Sequence, residues 1–148
     1  MIYEEYYKKY LIFKRTKDKI SILENKKISL MSNIEIKSND PSKDIIRTNS
    51  KKDTMSDYVA ELEIIDEKLE KEKKIKKEIE SQLLEKEEEL RNSKETFDKI
   101  YLYKYVDKLK YHQICRKIGY EKSSFYNFLE EITKKLNEIK RKEKNGKE

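Results

Sequence analysis

The sequence has few of the residues that form tight turns, disulfides or catalytic centres. Its 148 residues include no Trp, two Gly, one Pro, one Cys and one His. So few turn-forming residues disfavour a fold of many short strands. The single cysteine excludes an intramolecular disulfide and is typical of a reducing compartment. Because no Gly-rich loop, zinc-ligand spacing or nucleophile motif is present, we predict that the chain is not an enzyme and holds no metal or cofactor.

Long apolar runs are missing as well. Charged residues make up 45% of the chain and hydrophobic residues 35%, and the N-terminal stretch MIYEEYYKKYLIF carries charges where a signal peptide needs an apolar block. We therefore expect a cytoplasmic protein that does not enter a membrane. The apolar residues recur at regular intervals, which is typical of helices with a narrow apolar stripe rather than of disorder.

The first third of the chain predicts one helix and a linker. Apolar residues at intervals of three, four and seven indicate an amphipathic helix within residues 1–34, with its apolar face at Tyr3, Tyr6, Tyr10, Phe13, Ile20, Leu23, Leu30 and Ile34. Lys17, Glu24 and Lys27 interrupt the stripe. The four early tyrosines, which include Tyr7, form either a stacking patch for a partner or a packing surface for a neighbouring helix, and packing is favoured. Residues 35–53 lose the period and predict a polar linker.

The middle of the chain predicts a coiled coil over residues 54–92. Its heptad positions are apolar at Met55, Tyr58, Leu62, Ile65, Leu69, Ile79, Leu83 and Leu90. Three polar residues, Glu72, Lys76 and Lys86, interrupt this seam. We expect the two long helices to pair as an antiparallel hairpin, as a homodimer, or as both.

Charge changes sign along the chain. Residues 1–52 carry 13 basic and 7 acidic side chains, residues 53–92 carry 8 and 14, and residues 93–148 carry 15 and 9. A basic end beside an acidic middle suggests that one part of the chain meets a polyanion and another does not. The acidic segment 61–89 is a candidate surface for a regulatory protein partner.

The C-terminal third predicts a helix-turn-helix over residues 93–138 and a basic tail over residues 139–148. One buried face contains Ile100, Tyr101, Tyr103 and Val106. A short helix follows at residues 110–118, and its inward residues are Tyr111, Ile114, Cys115 and Ile118. Gly119 lies where the chain must turn sharply, a position that suits positive φ. The next helix begins at about Glu121, and its inward residues are Phe125, either Phe128 or Leu129, Ile132 and Leu136.

In a helix-turn-helix the second helix enters the major groove of double-stranded DNA with its N-terminal residues. Here those residues are Lys122, Ser123, Ser124, Tyr126 and Asn127. Asn pairs with adenine through two hydrogen bonds, and Lys donates to guanine or phosphate. Further candidate DNA contacts are Lys110, His112, Lys134, Lys135, Lys140 and Arg141.

Residues 53–136 resemble phage late-gene transcriptional regulators of the RinA/ArpU type and related phage proteins with a helix-turn-helix like sigma-factor region 4. The matching stretches are DTMSDYVAELEIIDEKLEKE and YKYVDKLKYHQICRKIGYEKSSFYNFLEEITKKL. The family's core positions are matched by Tyr105, Tyr111, Ile114, Cys115, Ile118, Gly119 and Tyr120. The resemblance implies an activator of late or packaging genes that works with host RNA polymerase. The chain departs from the family pattern at Lys104, Cys115 and Glu121, where Arg, Ala and Ser are usual.

Two other functions fit the same residues. The heptad and the high charge also suit a coiled-coil adaptor that binds only protein. A phage small terminase subunit combines DNA binding with helical oligomerisation as well, but we expect its DNA-binding module at the N-terminus rather than the C-terminus.

Overall fold

The computed structural model of the chain describes residues 1–39 and 55–145, and these are helical apart from short connections. The long helices are α1 (Ile2–Asn39) and α2 (Met55–Asn92). Three shorter helices follow: α3 (Thr96–Tyr101), which continues as one turn of π-helix (Leu102–Val106), α4 (Tyr111–Ile118) and α5 (Lys122–Asn145). The predicted fold class is confirmed, because the chain is all-α, with a long coiled-coil hairpin followed by a small C-terminal helix-turn-helix.

The boundaries of two predicted segments differ from the observed helices. Helix α1 continues to Asn39, five residues past its predicted end at residue 34, and residues 40–53 of the predicted linker lie outside the described residues. Helix α5 runs without a break to Asn145, so the predicted basic tail is helical as far as the structure describes it. Within the described ranges, no helix is both long and apolar enough to cross a bilayer.

The heptad seam of α2 is confirmed by burial. Every predicted seam position from Tyr58 to Leu90 is buried or half-buried, and only Met55 at the start is exposed. The three polar seam residues, Glu72, Lys76 and Lys86, are half-buried too. Long polar side chains can cover an apolar surface with their methylene groups while the charged end stays in water. These three residues therefore place polar groups in the seam, but the helix packing continues through them.

The chain divides into two compact units. The first comprises residues 14–77, the middle of the hairpin, where α1 and α2 run antiparallel. Ile20, Leu30 and Leu69 are buried there, and Lys27 forms a 2.8 Å ion pair with Asp66 across the two helices. One polar residue of α1 belongs to this seam although the sequence pattern passed over it: Thr16 is only 5% exposed. Lys17 and Glu24, which interrupt the predicted stripe, are exposed.

The second unit joins the start of α1 (residues 1–13) to residues 78–148. Its core contains Leu90 from α2, Ile100 and Leu102 from the α3 region, and Ile114 and Phe125 from the helices that follow. Tyr3 and Tyr6 of α1 both pack on Tyr101, with ring centroids 5.5 and 5.8 Å away. The packing interpretation of these two tyrosines is therefore confirmed.

A buried carboxylate anchors the first turn of α1 in this core. Asp98 is 1% exposed and accepts a 3.0 Å hydrogen bond from the backbone N–H of Tyr3, 95 residues away in sequence. Its second oxygen accepts a 2.6 Å hydrogen bond from the Ser93 hydroxyl, whose oxygen accepts in turn from the Glu95 N–H at 3.2 Å. A negative charge at a helix N-terminus also suits the helix dipole. Asp98 thus supplies the cap that α1 lacks locally.

Candidate nucleic-acid interface

A glycine-centred turn joins α4 to α5. Gly119 has φ of +76°, and its N–H donates a 2.9 Å hydrogen bond to the Cys115 carbonyl, which closes α4. The predicted positive φ is confirmed. After the turn, the Glu121 carbonyl accepts a 2.9 Å hydrogen bond from the Phe125 N–H and starts α5. Because a side chain in this conformation clashes with its own backbone, glycine is the residue that lets the two helices follow each other so closely.

The apolar sides of both helices face one core. Ile114 of α4 and Phe125 and Ile132 of α5 are fully buried, and Leu136 and Ile139 extend the buried face of α5. This burial fixes the rotation of α5 about its axis. The side chains opposite to Phe125 and Ile132 must therefore point outward.

The outward face of α5 carries four of the predicted DNA contacts. Ser123, Asn127, Lys134 and Arg141 are exposed, and their spacings of four, seven and seven residues place them on one stripe of the helix. We call these four residues the α5 stripe. Lys140 is exposed as well, about 100° around the helix from Arg141. The stripe thus presents a hydroxyl and an amide near the start of the helix and cations further along it.

A cluster of aromatic and basic side chains flanks the start of the stripe. The Lys122 ammonium lies 5.1 Å from the Tyr111 ring centroid and 5.9 Å from that of Tyr126. The two tyrosine rings are 6.2 Å apart, and the His112 ring lies 5.7 Å from Tyr111. An ammonium at these distances from aromatic faces is attracted by the rings. The first turns of α4 and α5 therefore place Lys122, Tyr126 and His112 around the Tyr111 ring.

One prediction at this cluster is wrong. Tyr111 does not point inward but is 42% exposed. It is the first residue of α4, and its ring packs beside Tyr126 and Lys122 instead of entering the core. Lys110 precedes it with an exposed side chain, while the Lys110 backbone N–H donates to Gln113 Oε1 at 3.0 Å.

Two predicted contacts lie away from the α5 stripe. Ser124 is half-buried. Lys135 is half-buried too, and it lines a groove with Glu4, Lys8 and Glu138 on the side of α5 that faces the start of α1. The side chains of Lys134 and Lys135, adjacent in sequence, therefore face different surroundings. The pattern of basic residues in the sequence does not show which of the two lysines is exposed, because this depends on the rotation of α5 that the core imposes.

Basic residues outside the predicted set complete the surface. Arg116 follows His112 by one helical turn on the exposed side of α4, and Lys104 and Lys108 are exposed just before α4. In a helix-turn-helix the first helix crosses the DNA backbone, so cations on it can meet phosphates. The sequence does show these three basic residues. A charge count over the whole of residues 93–148 does not single them out, because it averages them with the acidic residues of α5.

Acidic groups near α5 limit the positive field. Glu130 lies close to the α5 stripe and approaches Lys134, with 3.8 Å between Oε1 and Nζ. Both side chains are largely exposed, so the pair is weak and Lys134 can exchange it for a phosphate. Among the residues that the structure describes, no three His, Cys, Asp or Glu side chains group in a way that could hold a metal ion.

Comparisons of the chain with protein-family models, with curated proteins and with solved structures found no match.

Proposed function

We propose that the chain is a transcriptional regulator that binds double-stranded DNA through α4, the Gly119 turn and α5. The observation that carries this proposal is the α5 stripe, a polar and basic surface on a helix that directly follows a glycine-centred turn. Asn127 is the residue of the stripe that fits base recognition, since an exposed amide one turn into such a helix can pair with adenine in the major groove. Lys134 and Arg141 fit phosphate contacts, which position the protein without reading sequence.

The resemblance of residues 53–136 to phage late-gene regulators supports the same conclusion. It adds the expectations of a cytoplasmic activator of late or packaging genes and of host RNA polymerase as a partner. A homodimer would present two copies of the α5 stripe to a DNA site with two-fold symmetry, as helix-turn-helix dimers do.

A salt-varied binding titration tests the proposal. Purified protein is titrated against duplex fragments tiled across the genome that encodes it. A sequence-specific regulator binds one fragment about 10³-fold or more above the others at physiological salt. Uniform weak binding would contradict sequence-specific recognition, and no binding to any fragment would contradict DNA binding.

Two matched pairs of variants sharpen the test. Asn127→Ala should weaken binding to the preferred fragment by about 1–3 kcal/mol and leave other fragments unaffected. Asn25→Ala is its control, because Asn25 is an exposed asparagine of α1 that belongs to the other compact unit. Lys134→Ala should weaken binding to every fragment and lower the salt slope by about 1, whereas Lys135→Ala should do neither. Equal effects within each pair would remove the α5 stripe from the interface.

A coiled-coil adaptor that binds only protein is the second candidate function. The hairpin exposes large apolar side chains, and Ile22, Ile28 and Ile64 are each more than half exposed. Such residues can form part of a protein-binding surface. The same titration separates the two functions, since an adaptor of this kind shows no salt-dependent binding to any duplex.

A further inference from the structure

The segment between the π-helical turn and α4 has an unusual backbone. The Asp107 N–H donates to the Leu102 carbonyl at 2.9 Å, and Lys108 then adopts φ of +54°. Lys108 is the one non-glycine residue with positive φ among the described residues. A left-handed conformation costs a side-chain-bearing residue about 1–2 kcal/mol. At the end of α4 the chain places Gly119 in this conformation, but at Lys108 it places a lysine, which points to a use for the side chain.

Hydrogen bonds hold the segment on both sides of Lys108, at Asp107 and at Leu109. Arg91, at the end of α2, donates two hydrogen bonds to the Asp107 carboxylate, of 3.2 and 2.7 Å. The Leu109 N–H donates to the Tyr103 carbonyl at 2.8 Å. Two parallel hydrogen bonds from a guanidinium fix orientation as well as distance. The backbone that carries Lys108 is therefore held in one position.

Positive charge in this region has little local compensation. Residues 99–120 include the basic side chains Lys99, Lys104, Lys108, Lys110, Arg116 and Lys117, and a single acidic one, Asp107. Since Asp107 is engaged by Arg91, its charge is already balanced from outside the segment. Lys104, Lys108 and Lys110 are exposed. With six basic side chains and one acidic one, this region is a candidate surface for a polyanion.

We propose that Lys108 and Lys110 contact phosphates of the same duplex that α5 recognises, and that Arg91 and Asp107 are positioning residues for this contact. This inference rests on the proposed function. It adds Lys108 to the candidate contact Lys110 on the N-terminal side of α4, and it links the end of the hairpin to DNA binding.

The first test removes the Lys108 charge without changing the backbone. Asparagine tolerates left-handed φ better than other non-glycine residues, so Lys108→Asn retains the turn and loses only the cation. One lost phosphate contact should lower the salt slope by about 0.9 and weaken binding about fivefold at 0.15 M salt and about fifteenfold at 0.05 M. Lys94→Asn is the control, because Lys94 is also exposed, non-helical and in the same unit. Lys110→Gln should repeat the Lys108 result.

The second test examines Arg91. Arg91→Lys keeps the charge and loses the double hydrogen bond, so it should weaken DNA binding although net charge is unchanged. If Arg91 acts through the loop, the Arg91→Lys effect should shrink when Lys108 is already Asn, and a double-mutant cycle measures this coupling. Additive effects would show that Arg91 does not position Lys108.

The outcomes separate this inference from the proposed function. Wild-type affinity and salt slope in both Lys108→Asn and Lys110→Gln, with Asn127→Ala still impaired, would refute the second contact and leave the proposed function standing. An equal loss in Lys94→Asn would reduce the effect to overall charge and refute the contact as well. Failure of the wild-type chain to bind any duplex would overturn both.

Discussion

The hydrogen bond between Asp98 and the first turn of α1 allows a quantitative prediction. Asp98→Ala removes the acceptor of the buried Tyr3 N–H and of the Ser93 hydroxyl. A hydrogen bond to a charged acceptor contributes about 1.5–3 kcal/mol, and a favourable charge at a helix N-terminus adds about 0.3–1 kcal/mol. For the two hydrogen bonds and the charge together, we expect Asp98→Ala to lower the free energy of unfolding by about 3–7 kcal/mol, a large part of the 5–15 kcal/mol typical of a domain.

The assay is urea unfolding followed by near-ultraviolet circular dichroism of the tyrosines, because the chain has no tryptophan. Amide exchange at Tyr3 gives a local measurement, since this N–H belongs to the first turn of a helix, where protection is otherwise absent. Asp98→Asn is the matched variant. It keeps an oxygen for the Tyr3 N–H but loses the charge, so it should retain partial protection and about half of the stability difference.

Two results together would refute this reasoning. One is an unfolding free energy of Asp98→Ala within about 1 kcal/mol of wild type, well below the cost of leaving a buried donor without an acceptor. The other is unchanged protection of the Tyr3 amide. In that case, apolar packing of Tyr3 on Tyr101 would be sufficient to hold α1 in place.

Three further predictions concern the seam, the turn and the buried tyrosines. Leu69→Asp should lower the melting temperature strongly, because Leu69 is 5% exposed and the change buries a charge. Leu84→Asp, at a 66% exposed position of the same helix, should change the melting temperature little. Similar shifts in the two variants would contradict the assignment of Leu69 to the seam. Gly119→Ala should lower the free energy of unfolding in urea by about 1–2 kcal/mol. This is the cost of the left-handed backbone alone, because an added Cβ meets nothing within 4 Å. A larger loss would mean that the turn is packed more closely. Burial, with smaller contributions from Glu4 and Asp98, raises the pKa of Tyr3 from 10.0 to about 12. The native state then binds the Tyr3 hydroxyl proton more tightly than the unfolded chain does. The contribution of the protonated Tyr3 to the free energy of unfolding is therefore fully present below pH 10 and is lost as the pH rises to about 12. Tyr3→Phe should therefore show a shallower loss of stability across that window, and identical slopes would contradict the raised pKa.

Sequence periodicity predicted the features that depend on neighbours along the chain. The seam of α2 follows from a seven-residue repeat, and the turn at Gly119 follows from one of only two glycines between two apolar patterns. Both are local, because helix geometry fixes which side chains share a face.

The features that escaped prediction depend on residues far apart in sequence. In the sequence, Asp98 resembles any exposed acidic residue of a helix, because nothing near it in the chain indicates its hydrogen bond to the Tyr3 N–H. The half-burial of Lys135 depends on the start of α1, and the Arg91–Asp107 ion pair joins the end of α2 to the segment before α4. No spacing rule within one helix contains these contacts. They become visible only when the core sets the rotation of each helix.

The core that contains both Tyr3 and Leu136 has a consequence for synthesis. At about 5–20 residues per second, Tyr3 is made roughly 7–30 s before Leu136. Until residues 98–101 have been made, the hairpin can pair along its seam, but the aromatic face of its first turn has neither Asp98 nor Tyr101 to pack on. The helices α4 and α5, which we propose bind DNA, are thus completed after the hairpin. Synthesis that stops before Leu136 yields a hairpin without a complete α5.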